Sequence, residues 1–332
     1  MSQSIPLTTK LQSPVAVVCH DAGAAHLIFA WLRHWSEAGL LDQHHFNLVL
    51  QGPAEKAWHH HPVPLPHVAL HTSLDAIEGC HSVLSGTGWA SNLEHQARQK
   101  AQVLSIPSIA VIDHWVNYAM RFERDGEVVL PAQIWVADAD AARMAEVQFV
   151  GVPVLALPNV YLQQLVQHIP PVPEDCRNLL YVLEPVRSDW GRGVQGEFQA
   201  LDFFVQHLAQ VVGHSPFHIT LRPHPSDPAD KYTAWMQAHE SLEIRLDTQT
   251  DLKQSIAQAR WVVGVESFAL VVAAAAGRET FSALPPWANR CRLPITGLVH
   301  LQDVDKFSSL SQAGFRKAMS EKISLYLDKA PK

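Results

Sequence analysis

The chain has 332 residues, 47% of them hydrophobic and 17% charged, with a formal net charge of −7. That is length for two ordinary domains and apolar material for a core in each, which excludes a disordered polar chain. The 25 Lys and Arg residues form no basic block, so nucleic acid is excluded as a partner. Residues 1–10 lack the basic-then-apolar pattern of a signal peptide, and the longest apolar stretch, 268–276, is too short to span a bilayer. Cys19, Cys80, Cys176 and Cys291 show no CxxC spacing, so neither a zinc site nor a disulfide framework is expected. The expected setting is cytoplasmic, with no transmembrane segment.

In chain order, short apolar runs at 15–19, 46–50, 67–70, 82–84, 108–112, 134–136 and 153–157 predict strands in the first half. Segments of helical period at 24–38 and 91–104 lie among them. Runs without polar alternation suit parallel strands covered on both faces, and strands alternating with helices predict a doubly wound sheet. At 169–177 three prolines in four positions break the rhythm and mark a linker. It then restarts, with strands predicted at 178–183, 217–221, 242–246, 261–265 and 279–282 and helices at 195–212, 230–238 and 268–276. The expected architecture is α/β: two Rossmann-like doubly wound domains, 1–168 and 178–332, joined by the linker 169–177 and facing a cleft.

Open parallel sheets bind ligands beyond the carboxyl ends of their strands, so the residues that follow each strand carry the functional reading. In the second half the strongest is Arg222-Pro223-His224-Pro225-Ser226-Asp227. Two prolines stiffen His224 from both sides, and Asp227 with Pro228 reads as a helix N-cap followed by its first residue. A rigid histidine beside an arginine and near a helix start suits an anionic ligand; a proline-stiffened surface loop is the structural alternative. Ser267 is positioned to cap the alanine-rich helix that follows, directing free N–H groups at a ligand. Glu266 could accept from a ribose diol or pair with Arg222.

In the first half, Cys19-His20-Asp21-Ala22-Gly23 fills the first strand-to-helix turn and is not a dinucleotide fingerprint. Asp21 reads either as a helix cap or as a general base for an acceptor hydroxyl. Thr87 and Trp89, in Ser85-Gly86-Thr87-Gly88-Trp89, offer a hydroxyl and a ring to a sugar. Asp113-His114-Trp115-Val116-Asn117-Tyr118 is either a polar turn of the site or an aromatic anchor of the core. His59-His60-His61 reads as a flexible surface loop, and Trp190-Gly191-Arg192-Gly193 as a mobile loop at the mouth of the second domain. Asp138-Ala139-Asp140 has metal-binding spacing but reads as a helix start.

Two linked Rossmann-like domains, a proline linker and the Arg222-Pro223-His224-Pro225 turn resemble the GT-B glycosyltransferases. More narrowly they resemble the bacterial enzymes with an HP motif: sialyltransferases, capsule Kdo transferases and teichoic-acid polymerases. The resemblance is architectural over nearly the whole chain and reaches motif level only in the second domain. It implies that His224 and Pro225 hold the phosphate of a cytidine nucleotide donor, that Ser267 matches the group's serine at a later helix start, and that Asp21 matches its first-domain base. The group's Asp/Glu-Asp/Glu-Gly form of the base motif is absent. The 20–24 and 113–118 segments also look like those of proteins from surface-polysaccharide and flagellin-glycosylation clusters.

The expected function is therefore metal-independent transfer of an acidic sugar from a CMP-activated donor to a glycan or protein acceptor, with no cofactor beyond the nucleotide sugar. Asp21 and His224 are the catalytic candidates; Arg222, His224, Pro225, Glu266 and Ser267 would bind the donor. His20, Thr87, Trp89, Asp113 and His114 would meet the acceptor or sugar, and domain closure would exclude water. The competing readings are a nucleotide-sugar epimerase or hydrolase of the same architecture and a non-catalytic nucleotide- or glycan-binding protein. The sequence leaves the oligomeric state open.

Overall fold

A computed structural model describes residues 11–186 and 188–307. The leader reading of residues 1–10 and the end of the second domain, 308–332, lie outside the described residues. The chain divides into two compact units, Met1–Gln163 and Gln164–Lys332.

The first unit runs β1 (Val15–Cys19), α1 (Ala22–Glu37), β2 (His45–Leu50), α2 (Gly52–His60), β3 (His67–His71), β4 (Ser82–Ser85), α3 (Leu93–Val103) and β5 (Ser108–Ile112). It continues β6 (Glu123–Arg124), β7 (Glu127–Val128), β8 (Gln133–Val136), α4 (Ala139–Gln148), β9 (Val154–Ala156) and α5 (Val160–Gln167), inside which the division falls. Seven strands form one sheet in the order β3-β2-β1-β4-β5-β8-β9, every neighbouring pair parallel. All five residues of β1 are buried, with Val15, Val17 and Cys19 in one apolar cluster and Ala16 and Val18 in another. That two-sided burial is why the strand carries no polar alternation. On one face α1 lays down Trp31 and Trp35, whose rings meet Trp135 edge-on at 6.1 and 6.0 Å. The Trp31 indole N–H donates to the Pro158 carbonyl, so this large buried side chain leaves no polar atom unmatched.

The second unit runs β10 (Asn178–Val182), α6 (Gly196–Gln206), α7 (Leu208–Val212), β11 (His218–Arg222), α8 (Thr233–Ala238), β12 (Ile244–Leu246) and α9 (Leu252–Ala257). Then come β13 (Trp261–Gly264), α10 (Phe268–Ala275), β14 (Glu279–Ser282) and β15 (Val299–His300). Its parallel sheet has the order β12-β11-β10-β13-β14-β15. Counted within each unit, and passing over the small antiparallel hairpin β6–β7, both sheets begin 3-2-1-4-5-6. The order reverses between β1 and β4 in one unit and between β10 and β13 in the other. Those two points are where a Rossmann-like sheet opens a crevice for a ligand.

Several expectations need correction. The helix expected at 195–212 is two helices, because the His207 ring turns back onto the Phe203 carbonyl and its amide bonds Phe204, interrupting the helical ladder. Asp227 and Pro228 start no helix; α8 begins at Thr233, after a run of turns. His59 and His60 end α2 and do not form a flexible loop; the short α2 contains Pro53 near its start, where proline is tolerated. The strand at 67–70 is the exposed sheet edge. The two-residue strands β6, β7 and β15 are too short for any periodicity to announce them.

Candidate functional site

In the first unit the register Val18↔Ser85 brings the ends of β1 and β4 side by side, so His20-Asp21 and Gly86-Thr87-Gly88 emerge together. Asp21 occupies the N-cap position of α1 but makes no side-chain capping bond. Its Oδ1 lies 2.8 Å from His20 Nδ1, and its carboxyl lies over Gly88, where a Cβ would stand 1.9 Å from Oδ2. Asp113, at the end of β5, is seated the same way: a Cβ on Gly23 would come within 1.8 Å of its Oδ2. Its Oδ1 accepts from Arg121 Nη1 at 2.7 Å. The sequence thus gathers three carboxyl and imidazole groups around the start of α1 through two backbone positions without a side chain. Asp21 is 30% exposed, so a hydroxyl from solvent or substrate can reach it.

Beneath this cluster is a layer that sequence reasoning missed. Arg121 is buried and also donates to Thr87 Oγ1 (3.1 Å) and, through Nε, to the Val116 carbonyl (3.2 Å). Thr87 is fully buried and donates to the Val111 carbonyl, so it braces the layer and does not meet a sugar. Glu94 and Arg98 on α3 are also fully buried. Burial pushes the Glu94 carboxyl up to about 7, against the pull of the His20 amide and with the push of Asp21. Burial likewise brings Arg98 down to about 10. A signal existed: both residues flank the inward stripe Leu93, Ala97 and Ala101 at helical spacing.

Trp89 is 38% exposed, with the Arg121 guanidinium 5.1 Å from its ring centre. His114 sits edge-on to Trp115, whose indole donates to Asp138 Oδ2. Trp115 and Tyr118 are buried, as the anchoring alternative required. Asp138 caps α4 through Ala141 N, and Asp140 pairs with Arg143. Among the described residues no group of three His, Cys, Asp or Glu side chains comes together to hold a metal ion.

In the second unit the register Val182↔Gly264 sets Glu184 beside Glu266 and Ser267. Glu184 Oε1 accepts from the Glu266 amide at 3.0 Å, and loss of water pushes its carboxyl up to about 7. Ser267 caps α10 through Ala269 N. Glu266 pairs with Arg292, at 2.8 Å, and not with Arg222. Arg222 is committed elsewhere: its Nη1 donates to Asp247 (2.6 Å), Ser255 (2.8 Å) and the Gln249 carbonyl (2.9 Å). It is therefore a brace of the sheet edge rather than a group directed at a ligand.

His224 and Pro225 are exposed. The Ser226 amide donates to His224 Nδ1 (3.2 Å) and the Ser226 hydroxyl lies 2.7 Å from it, so in the neutral ring the proton sits on Nε2 and points outward. Asp227 accepts from the His224 amide (3.0 Å), Lys231 Nζ (2.8 Å) and the Tyr232 hydroxyl (3.1 Å). Burial works to raise Asp227, but Lys231 and these donors hold it below the usual carboxylate range. Lys231 also reaches Glu197 at 2.7 Å. The rigidity expected from prolines is thus supplied as well by a buried ion cluster. The 190–193 segment is knitted down: Asp189 accepts from Gly191 and Gly193, and Arg192 lies 3.7 Å over the Trp287 ring.

No protein-family model matches the chain, and no curated protein matches it by sequence. Solved structures do match. UDP-GlcNAc 2-epimerase from Neisseria meningitidis, bound to UDP-GlcNAc, is similar over 95% of this chain and 100% of its own, with TM-score 0.59 at 11% identity. HepE from Anabaena in complex with UDP covers 94% of both chains, with TM-score 0.56 at 10% identity. S. aureus MnaA with UDP covers 81% of this chain and 78% of its own, with TM-score 0.54 at 11% identity. The fold is GT-B-like. Among the described residues no helix is long and apolar enough to cross a membrane.

Proposed function

We propose that this protein is a nucleotide-sugar enzyme that transfers a glycosyl group, with the donor nucleotide on the second unit and the proton-accepting carboxylate on the first. The observation that carries the reading is the Asp21 carboxyl. It stands at a helix start without capping it, is held by His20 and Gly88, and is open to solvent. A carboxylate fixed in that way serves a general base better than a structural cap. In the second unit His224 offers an outward Nε2–H to an anionic oxygen, and Ser267 caps the helix at the sheet's switch point. Arg222 leaves the proposed donor set; Pro225 remains in it as the residue that stiffens His224.

The His-Pro turn supports a CMP-activated acidic sugar. The uridine nucleotides bound in the similar structures support UDP as the competing base and an epimerase as the second reading. Thermal shift with CMP, CDP, UDP, GDP and ADP separates the bases, since a ligand raises apparent stability by mass action. Incubation of the preferred nucleotide's sugars with and without acceptor glycans then separates the reactions. Sugar isomerised or released without acceptor would replace transfer by epimerisation or hydrolysis. No response to any nucleotide would remove the proposal altogether.

A further inference from the structure

The layer under the Asp21 cluster contains a titratable group with no assigned task. Glu94 is fully buried, and its Oε1 accepts from the His20 amide at 2.9 Å. Its Oε2 is buried and has no hydrogen-bond partner among the described residues. A Cβ on Gly86 would lie 2.5 Å from Oε1, so the carboxyl is wedged between the ends of β1 and β4. The cation within reach on its own helix, Arg98, is spent on the Gly86, Arg121 and Val129 carbonyls and on Ser85 Oγ. An ionised carboxylate here would bury a charged oxygen that has the Asp21 amide near it but no donor in hydrogen-bonding position, whereas a protonated one buries a hydroxyl at lower cost.

We propose that Glu94 is a positioning residue of the first-unit site: its carboxyl is protonated at rest, holds the β1–α1 turn by accepting through Oε1, and on ionising places a second negative charge against Asp21. The groups that face it are Cys19, His20 and Asp21 from the β1–α1 turn and Arg98 from α3, itself under the influence of Arg124. Burial and the Asp21 charge favour the protonated form; the His20 amide, Arg98 and the Asp21 amide oppose it, and the balance stands near neutrality. Ionisation above that point places a second negative charge beside Asp21, in a layer whose nearby cation, Arg98, is already spent on carbonyls. That charge would act directly on a general base at Asp21. That catalytic use rests on the reading proposed above; the protonation itself does not.

The sign for stability follows from linkage. The folded carboxyl titrates near 7 against an ordinary 4.5, so the folded chain binds more protons between those values and loses stability as pH rises through them. Glu94→Gln keeps the oxygen that accepts from His20 and removes the titration. The gap in denaturation midpoint between Glu94→Gln and wild type should therefore move in the variant's favour from about pH 4.5 to 7 and stay flat above. Glu184 titrates in both proteins and cancels. In amide NMR, the His20 resonance, whose N–H donates to Oε1, should move with a midpoint near 7 in wild type and lose that movement in Glu94→Gln. Parallel stability curves, or a His20 amide that moves alike in both proteins, would overturn the proposal. Should Glu94→Gln not fold, carboxyl-carbon NMR of Glu184→Gln must still show one carboxyl titrating near 7, and its absence would equally overturn it. None of these measurements needs a substrate, so a failed nucleotide screen would leave them standing and the reverse also holds.

Discussion

Gly88→Ala tests whether the seat of Asp21 is made by an absent side chain. The new methyl carbon would lie 1.9 Å from Asp21 Oδ2, 2.2 Å from Cγ and 2.8 Å from Cβ, so the whole carboxyl must swing away, not only its tip. Contact between such atoms becomes ordinary near 3.5 Å, which asks for roughly 1.5 Å of retreat. The backbone itself does not oppose the alanine, since Gly88 does not occupy the left-handed region. The swing breaks the 2.8 Å contact with His20 Nδ1 and strains the Asp21 rotamer. With both side chains partly solvated, the net cost should be about 1–2 kcal/mol. A unit of this size would melt roughly 3–6 °C lower. Transfer should fall about a hundredfold, the usual consequence of moving a catalytic group by an ångström. Chemical denaturation and a turnover assay should be run on Gly88→Ala, Asp21→Gly and the double variant. In the Asp21→Gly background the alanine no longer meets that carboxyl and should cost much less. If Gly88→Ala costs the same in both backgrounds, Asp21 is not seated on Gly88 and the geometry assigned to the site is wrong.

Asp21→Asn should bind nucleotide as the parent does yet turn over about a hundredfold more slowly, whereas His224→Ala should weaken nucleotide binding about ten- to a hundredfold; isothermal titration beside the transfer assay separates them, and the reverse pattern would put the donor on the first unit. Lys231→Met strands Glu197 and Asp227, whose side chains are each 3% exposed, and should cost about 3–5 kcal/mol in urea unfolding at neutral pH. Asp227 is held below its ordinary value, so its stabilisation is complete above the unfolded carboxylate range and is lost as pH falls through the folded value. Acid should therefore close the gap between Lys231→Met and wild type, and a gap that does not change with pH would count against the cluster. Nucleotide binding should survive excess EDTA; loss restored by magnesium or manganese would show a metal-bridged phosphate instead.

Periodicity and turn chemistry made much of the fold legible in the sequence. The strands at 15–19 and 108–112 coincide with β1 and β5, because a strand buried on both faces must be a nearly unbroken apolar run; 279–282 also coincides with β14, although its Glu279-Thr280-Phe281-Ser282 sequence is mostly polar. Ser267 was legible as a cap for the same local reason: its side chain reaches an amide two residues away. Asp21 and Asp227 show where that reasoning stops. Both have the residue type of a cap and neither caps, because partners distant in sequence, Gly88 for one and Lys231 for the other, offer the carboxylate a different seat. Arg222 and Glu266 were expected to face a ligand or each other, and each is claimed by a residue at least 25 positions away. Sequence determined where the longer strands run and which polar residues stand at their ends, since those depend on neighbours along the chain. Only the tertiary structure decided which of those residues are spent on one another, buried beneath the site like Glu94 and Arg98, or left open to a substrate. A charged side chain's role depends on what shares its few ångströms of low dielectric, and β1 meets residues 82–85 there only because the sheet reverses its strand order at that point.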